Sequence, residues 1–149
     1  MRAIIQKVTN ASVKVSGELI SEISDGYLVL LAVKETDDKD DLAYIKRKIS
    51  NLRIFEDEDG KMNLSLKDTG GEILLVSQFT LYGDVRKGNR PSFTESAGLK
   101  KANDYYERLR DELIDEGFNV KTGKFQAYMQ VSLVNDGPVT IILDSERIV

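Results

Sequence analysis

The chain of 149 residues carries 21 lysines and arginines against 25 aspartates and glutamates, a formal net charge of −4. It contains no cysteine and no histidine, which excludes disulfides, thiolate nucleophiles and a Ser-His-Asp triad and disfavours a catalytic zinc site. The acidic balance also disfavours a protein that coats nucleic acid with its whole surface, but it is compatible with a local basic patch.

The length predicts a single domain over residues 1–149, and a chain of this size can bury roughly 70% of its unfolded surface in a core. No apolar run approaches the roughly 18 residues of a membrane span. The first residues have the pattern of a strand and not that of a signal peptide. We therefore expect a cytoplasmic protein.

Residues 2–33 are predicted to be β-structure, because their apolar runs are rich in β-branched residues. Ser16-Gly17 and Asp25-Gly26 each have the composition of a two-residue hairpin turn. The segment YLVLLAV, residues 27–33, is apolar at successive positions, which predicts a central strand that is buried on both faces.

Residues 37–51 are predicted to form a helix with Thr36 as its N-cap. Its apolar residues follow the three-four spacing of one buried face: Leu42, Ile45, Ile49 and Leu52. A second helix is predicted from about residue 97 to 116, with Ser96 as its N-cap and Gly117 just past its end.

Residues 53–82 are predicted to return to β-structure, with two short strands around Asp59-Gly60 and a buried strand in GEILLVSQFTLY, residues 71–82. Residues 83–95 are predicted to be a loop, and β-structure resumes at residue 118. This order does not alternate as a doubly wound fold would. It predicts an α+β fold with mainly antiparallel, curved, barrel-like sheets covered by two main helices.

The carboxylate-rich segment FEDEDGKM, residues 55–62, does not match the pattern of a calcium-binding loop. That loop needs an acidic residue five positions before its glycine and a glutamate six positions after it. Those positions hold Phe55 and Leu66, so the segment is predicted to be a solvated hairpin tip.

The loop GDVRKGNRPS carries Arg86, Lys87 and Arg90 beside two glycines, but it lacks the Gly-Lys-Ser/Thr sequence of a nucleotide-binding P-loop. Two interpretations stay open. It is either a mobile charged loop or a grip for phosphate oxygens, to which arginine forks and free backbone N–H groups are suited.

Ser77, Gln78 and Thr80 follow the end of the buried strand, where polar side chains either satisfy backbone groups or line a site. Because the chain has no histidine and no neighbour in sequence supplies a base, a hydroxyl nucleophile is unattractive here. The backbone N–H groups of Gln78 and Phe79 could instead form an oxyanion pocket.

The last candidate is NDGPV, which lies between predicted strands at residues 131–134 and 139–143. Gly137 tolerates φ values that other residues avoid, and Pro138 lacks an N–H donor and can follow a cis bond. The simpler interpretation is a hairpin turn. The alternative is a rigid backbone element that presents unpaired carbonyls.

Three segments are similar, in order and spacing, to signature segments of the D-aminoacyl-tRNA deacylase family: SQFTLY (77–82), KGNRPSF (87–93) and MQVSLVNDGPVT (129–140). The segments QKVTNASVKV, YLVLLAV and RIFEDEDGKMNLSL also resemble that family, so that the resemblance covers the whole chain.

The resemblance implies a homodimer, without metal or cofactor, that hydrolyses the ester between a D-amino acid, and in many members glycine, and the 3′-terminal adenosine of tRNA. It implies a pocket at the dimer interface, lined by Ser77, Gln78, Phe79 and Thr80 of one subunit. Gly137-Pro138, joined by a cis bond, would come from the other subunit and face the substrate's α-amino group.

The resemblance further implies that backbone groups and the ribose 2′-hydroxyl of the substrate assist the reaction, with Thr80 as a positioning residue. One departure is Gln126, where family members often carry a small residue, in a region expected near the adenosine. A binding module for RNA ends, supported by Arg86, Lys87 and Arg90, and an esterase that uses Thr80 are the alternatives.

Overall fold

The computed structural model describes all residues from Met1 to Val149. Its strands are β1 (Arg2–Val15), β2 (Glu18–Ile23), β3 (Gly26–Ala32), β4 (Phe55–Glu56), β5 (Met62–Leu64), β6 (Glu72–Ser77), β7 (Asn119–Thr122) and β8 (Gln130–Asp144). The α-helices are α1 (Lys39–Asn51), α2 (Leu66–Thr69) and α3 (Leu99–Asp115), and a 3-10 helix spans Phe79–Tyr82. The predicted α+β class with two main helices is confirmed.

The long strand β1 organises the main sheet. One of its edges pairs with β8 over nearly the whole strand, and the other pairs first with β3 and then with β2, always antiparallel. Strand β6 adds to β3 and β7 adds to β6, both in parallel. The predicted mainly antiparallel pairing is confirmed, and β6 and β7 give the sheet a parallel part.

Side chains join the two ends of the strand path β2-β1-β3-β6-β7. The hydroxyl of Ser21 on β2 donates to the carbonyl of Thr122 on β7 at 2.7 Å. The ammonium of Lys121 on β7 donates to the carbonyl of Glu22 on β2, also at 2.7 Å. The sheet therefore curls until its end strands touch, which confirms the barrel-like shape, although no backbone ladder closes the barrel.

Helices α1 and α3 contribute to the larger apolar core together with the sheet. Ile45 and Ile49 of α1 and Leu109 of α3 are fully buried in it, and each such side chain contributes about 1.5–3 kcal/mol by leaving water. The hydroxyl of Tyr106 on α3 donates to the carbonyl of Leu75 on β6 at 2.7 Å. Burial raises the pKa of Tyr106 to about 12, so this donor keeps its proton.

The turn at Ser16-Gly17 is confirmed, since both residues have positive φ between β1 and β2. The hairpin predicted at Asp25-Gly26 is wrong, because β2 and β3 pair with successive stretches of β1 and not with each other. Gly26 serves close packing instead. A Cβ at this position would lie 1.9 Å from the carbonyl oxygen of Glu72.

Both predicted N-caps are wrong, because each long helix begins two residues later than its pattern suggested. Asp38, and not Thr36, caps α1. Its carboxylate accepts from the N–H of Asp41, whose own carboxylate accepts from the N–H of Asp38. Helix α3 has Gly98 as its N-cap, with no side-chain hydrogen bond, and Ser96 lies outside the helix.

Three further differences concern the second half of the chain. The strand predicted to run to residue 82 ends at Ser77, and the short helix α2 follows β5 without having been predicted. The segments 131–134 and 139–143 belong to one continuous strand, β8, so that the predicted hairpin turn between them is wrong. No helix is both long and apolar enough to span a membrane.

The capping box of α1 gives a stability prediction. Asp38→Ala removes the acceptor for the first N–H groups of the helix and should cost about 1 kcal/mol of unfolding free energy. For a chain of this size we expect the Tm to fall by roughly 2–4 °C. Thr36→Ala is the matched control, because Thr36 is exposed and caps nothing. Equal Tm losses in thermal unfolding of the two variants would contradict the assignment.

Candidate active site

The three parallel strands β3, β6 and β7 end at one edge of the sheet. Strand β6 ends at Ser77 and continues through Gln78 into the 3-10 helix. Strand β7 continues into residues 123–129, and the N–H of Gly123 donates to the carbonyl of Leu75 at 3.2 Å. The predicted pocket residues therefore lie at the edge where all three parallel strands end.

Arg2 connects this edge to the antiparallel strands. Its guanidinium donates to the carboxylate of Asp144 at 2.9 Å and to the carbonyl of Leu81 at 2.9 Å, and it lies 4.8 Å from the ring centre of Tyr82. Asp144 is 1% exposed, so Arg2 supplies the partner that a buried carboxylate needs. The 3-10 helix is thereby held against the start of β1 and the end of β8.

The backbone donors of residues 78–80 differ in availability. The N–H of Gln78 donates to the carbonyl of Leu31 at 2.7 Å, so the prediction that it forms part of an oxyanion pocket is wrong. The N–H groups of Phe79 and Thr80 have no acceptor within the chain, as is usual in the first turn of a helix. The free pair of adjacent donors is therefore that of Phe79 and Thr80.

Thr80 lacks a group that could deprotonate it. Its hydroxyl oxygen accepts a hydrogen bond from the side-chain amide of Gln78, and a neutral amide is no base. No carboxylate or lysine hydrogen-bonds to Thr80, and the chain contains no histidine. An activated nucleophile needs such a partner, so the arrangement does not support attack by Thr80.

Phe79 is held by Phe93 and Ser96, neither of which was predicted to contact it. Phe93 meets it edge to face, with ring centres 5.1 Å apart, and the hydroxyl of Ser96 donates to the carbonyl of Phe79 at 3.2 Å. Ser96, which was predicted to cap a helix, thus binds the carbonyl of Phe79 in the 3-10 helix. The available signal for Phe93 was its place as the last residue of KGNRPSF, one of the segments that carry the family resemblance.

The basic loop divides into paired and unpaired cations. Asp84 and Ser92 form an antiparallel bridge at the base of the loop, and Arg86 binds the Asp84 carboxylate through two nitrogens, at 2.9 and 2.8 Å. Hydrogen bonds from Arg86 lower the pKa of Asp84 to about 2. Lys87 and Arg90 are exposed and lack a carboxylate partner, so these two are free to bind an anion.

The segment NDGP forms a bulge in β8. On β1 the pairing advances from Gln6 to Val8, whereas on β8 it runs from Thr140 to Asn135. Several residues of β8 therefore leave the ladder opposite a single residue of β1. The Gly137–Pro138 bond within this bulge is cis, as the family resemblance implied.

Asn135 stabilises the bulge. Its amide donates to the carbonyls of Lys7 and Val139, each at 2.9 Å, and thereby replaces the backbone donors that the bulge removes from the ladder. Lys7 also pairs with Asp136 at 3.1 Å. Asn135 was not predicted, although a two-donor side chain directly before Asp-Gly-Pro was a usable signal.

Gly137 and Pro138 themselves are exposed, and no side chain donates to either carbonyl. Gly137 has φ of +117°, and a Cβ at this position would lie 2.8 Å from a methyl carbon of Val139. The position therefore favours glycine. The result is a backbone segment, held through Asn135, in which two exposed residues have carbonyl groups without a side-chain donor.

The two predicted motifs do not meet within one chain. The end of β8 at Asp144 lies next to the 3-10 helix, because Arg2 bridges Asp144 and Leu81. Strand β8 then runs from Asp144 back to Pro138, which is roughly 20 Å at the usual rise of about 3.3 Å per residue. The chain by itself thus places the bulge far from the free N–H groups of Phe79 and Thr80.

Gln126 lies in the 123–129 segment, which leaves the same edge as Ser77. It is exposed and has φ of +64°, a left-handed conformation that suits glycine better than a residue with a side chain. This explains in physical terms why a small residue is expected at this position.

Comparison with known proteins identifies the family of the chain. The family described as D-Tyr-tRNA(Tyr) deacylase matches residues 4–144. A protein named D-aminoacyl-tRNA deacylase from Thermosipho africanus (strain TCF52B) is 56% identical over 148 residues, which cover 99% of each chain. One of the same name from Dictyoglomus turgidum (strain DSM 6724 / Z-1310) is 56% identical over 146 residues, with 98% of this chain and 94% of the relative covered.

Solved structures give the same result for the fold. The structure called "c-Myc DNA Unwinding Element Binding Protein" superposes with a TM-score of 0.91 at 47% identity and covers 97% of this chain and 98% of that one. A structure of a probable eukaryotic D-amino acid tRNA deacylase gives a TM-score of 0.78 at 19% identity, with 95% and 97% covered, and shows the shared fold. The chain belongs to the D-Tyr-tRNA(Tyr) deacylase family.

The bulge generates a second stability prediction. Asn135→Asp keeps the shape of the side chain but removes both donors to the carbonyls of Lys7 and Val139. Leaving partly buried carbonyls without donors should lower the unfolding free energy by about 1–3 kcal/mol. Asn10→Asp, the same chemical change at an exposed position on β1, serves as control. Chemical denaturation that gives equal midpoints for both variants would show that Asn135 does not hold the bulge.

Proposed function

We propose that this protein hydrolyses the ester between a D-amino acid and the 3′-terminal adenosine of tRNA, at two equivalent sites formed between two copies of the chain. Family membership and the names of the 56% identical relatives support the reaction and the substrate class. The observation that carries the proposal is the pair of free N–H groups at Phe79 and Thr80, two exposed residues just past the end of β6. The reaction would take place in the cytoplasm, where aminoacylated tRNA is used.

The chemistry follows from those donors. When water attacks the ester carbonyl, its oxygen becomes negatively charged, and the N–H groups of Phe79 and Thr80 are available to stabilise that charge. A preorganised donor of this kind is worth about 2.7–4 kcal/mol in the transition state. Phe93 and Ser96 act as positioning residues, since they hold the ring and the carbonyl of Phe79.

The proton transfer is assigned to the substrate and not to a side chain. The ribose 2′-hydroxyl lies next to the 3′-ester in any aminoacyl-tRNA, so it can assist water or the departing oxygen. Thr80, whose hydroxyl meets only the amide of Gln78, orients the substrate. This assignment agrees with a chain that contains no histidine and no cysteine.

The requirement for two chains rests on distance. The α-amino group and the ester carbonyl of one aminoacyl group are neighbours, whereas roughly 20 Å of β8 separates the bulge from the 3-10 helix within a chain. A second copy removes this conflict if its bulge enters the pocket of the first. The outer edge of β8 supports such a contact, because β8 pairs with no strand other than β1. Two apolar side chains of β8, Val134 and Ile142, are also about half exposed. A long edge strand of this kind is normally covered.

Chirality would be read by the carbonyls of Gly137 and Pro138. Hydrogen bonds from the substrate's α-amino group to these carbonyls fix the orientation of the α-carbon. In that orientation an L-side chain points into the rigid bulge, whereas a D-side chain points out of the pocket. Discrimination by a clash needs a surface that does not yield, and glycine, which has no side chain, should also be accepted.

Deacylation of matched substrates tests the proposal. We expect the dimeric protein to release D-tyrosine from D-Tyr-tRNA with a kcat/KM at least a hundredfold above that for L-Tyr-tRNA, since an unrelieved clash costs several kcal/mol. Glycyl-tRNA should be cleaved at a rate between the two. Release of L- and D-tyrosine at equal rates would refute the chiral filter.

Thr80 provides a separate prediction. Thr80→Val keeps the shape and the backbone N–H but removes the hydroxyl, and we expect kcat to fall by less than about tenfold. Removal of a true nucleophile costs on the order of a millionfold. Thr80→Ser, which retains a hydroxyl, is the matched control. A complete loss of turnover in Thr80→Val alone, with unchanged binding of a non-hydrolysable amide analogue, would favour covalent catalysis instead.

A binding module without activity is the alternative. Lys87 and Arg90 are unpaired and could hold an RNA end. The deacylation assay distinguishes the two, because a binder protects the ester and an enzyme cleaves it.

A further inference from the structure

A cluster of cations surrounds the second half of α1, on a surface that the proposed chemistry does not use. We call it the α1 basic patch, and it consists of Arg47, Lys48 and Arg147 beside the half-exposed Tyr44, together with Arg53 in the adjoining cavity. Three of these cations line or reach over the ring of Tyr44, with charge-to-centroid distances of 5.7, 5.6 and 5.4 Å for Arg47, Lys48 and Arg147.

An open cavity of about 370 Å³ forms part of this surface. It is lined by Arg47, Lys48, Asn51, Leu52 and Arg53. The guanidinium of Arg53 donates to the backbone carbonyl of Asn63 at 2.8 Å and to the side chain of that residue, so it is held in place without losing its charge. The cavity therefore offers fixed and mobile cationic groups around one concave space.

The charges of the patch are not neutralised. Within the run Lys46-Arg47-Lys48, Lys46 pairs with Glu112 at 3.0 Å and with Glu116 at 3.3 Å. Arg47 and Lys48 are exposed and have no carboxylate within ion-pair distance. In a chain with a net charge of −4, this grouping is a local excess that the average composition does not predict.

Compensation of the helix dipole does not account for the patch. The carboxyl end of a helix carries about half a negative charge, which one nearby cation balances at a gain of 0.3–1 kcal/mol. Lys48 in the last turn is sufficient for that. Arg47, Arg53 and Arg147 leave a surplus of positive charge facing solvent.

The cavity end of the patch, at Leu52, lies on the side of the molecule that carries the bulge in β8, whereas Arg147, three residues after Asp144, lies toward the other end. The hydroxyl of Tyr27 donates to the carbonyl of Leu52, in the cavity wall, at 3.3 Å. Tyr27 pairs with Lys7 in the sheet, and the carbonyl of Lys7 accepts from Asn135 of the bulge. Leu52 and the bulge are thus linked through two side chains and one pair of strand residues.

We propose that the α1 basic patch binds the ribose–phosphate backbone of the tRNA whose aminoacyl end occupies the pocket completed by the neighbouring bulge. This inference rests on the proposed function and deepens it, because it assigns the contact that holds the RNA beyond the terminal adenosine. A chain would then contribute two elements to its partner's substrate: the bulge, which selects the amino acid, and the patch, which holds the polynucleotide.

The chemistry of the patch suits phosphates more than a single small anion. Arginine forks and lysine ammonium groups bind phosphate oxygens without reading sequence, and a half-exposed tyrosine can stack on an unpaired base. Several cations spread around an open cavity match a chain of phosphates. Contacts of this kind make affinity depend on salt, by about 0.9 in the log–log slope for each phosphate neutralised.

The test compares two substrates and two sets of variants. The substrates are D-tyrosyl-tRNA and D-tyrosyl-adenosine, which carries the ester but no polynucleotide. The test variant is Arg47→Gln combined with Lys48→Gln, which keeps helix-forming side chains and removes two charges. The matched control is Lys14→Gln, which removes an exposed, unpaired cation from the far end of β1. Activity is measured between 50 and 200 mM salt, and the Tm of each variant is recorded.

We expect the double variant to lose on the order of tenfold in kcat/KM for D-tyrosyl-tRNA and to have a salt slope shallower by about 2. Its activity on D-tyrosyl-adenosine should match that of the unmodified protein, as should the Lys14→Gln control on both substrates.

Three results would overturn the inference. An unchanged salt slope on tRNA would show that the patch does not bind the backbone and would leave a protein partner as its occupant. Equal losses on both substrates, together with a lower Tm, would show a structural role. If the unmodified protein cleaves neither substrate, the proposed function itself fails and this inference with it.

Discussion

The antiparallel pairing of β8 with β1, over almost the whole length of both strands, determines where both candidate motifs lie. At one end of the pair, Arg2 and Asp144 hold the 3-10 helix against the sheet. Toward the middle, the ladder is interrupted opposite Lys7, and the bulge projects there. A shift of this register would move both features together, since a slip by one residue reverses every side chain of a strand. The spacing between the 3-10 helix and the bulge is therefore a property of one strand pair.

The proposed mechanism relies on backbone groups where many hydrolases rely on side chains. The free N–H groups of Phe79 and Thr80 and the carbonyls of Gly137 and Pro138 belong to segments that side-chain hydrogen bonds hold in place, from Ser96 and Asn135 respectively. A side chain can rotate away from a clashing substrate at a cost of about 1 kcal/mol, but a backbone segment with satisfied hydrogen bonds yields only if those bonds break. Stereochemical rejection benefits from this stiffness, because its selectivity is limited by the energy needed to deform the rejecting surface.

The class of fold, both long helices and the turns at Ser16-Gly17 and Asp59-Gly60 could be predicted from the sequence, because they depend on local apolar spacing and turn chemistry. The wrong predictions concern segments whose conformation depends on pairing with strands that are distant in sequence. Asp25-Gly26 has hairpin composition, but the neighbouring strand β1 takes both flanking segments. Asn135 to Pro138 likewise has turn composition, but Asn135 donates across to β1 and keeps the strand continuous. Local sequence patterns also could not show which backbone N–H groups are free. The N–H of Gln78 is occupied because it donates to the carbonyl of Leu31, which belongs to another strand.

The distribution of ion pairs reconciles an acidic chain with a polyanionic substrate. Arg86 forms an ion pair with Asp84, and Lys46 forms ion pairs with two glutamates. These cations therefore add little to the positive electrostatic potential at the surface. Lys87 and Arg90 near the strand edge, and Arg47 and Lys48 on α1, keep their charge. Because the rest of the chain carries a net negative charge, we expect RNA to approach mainly where unpaired cations face it and nonspecific affinity to be low. Low general affinity is an advantage for an enzyme that must release each uncharged tRNA and ignore the large excess of correctly charged ones. If the α1 basic patch binds tRNA as proposed, affinity is concentrated in the orientations that also bring the aminoacyl end to the pocket.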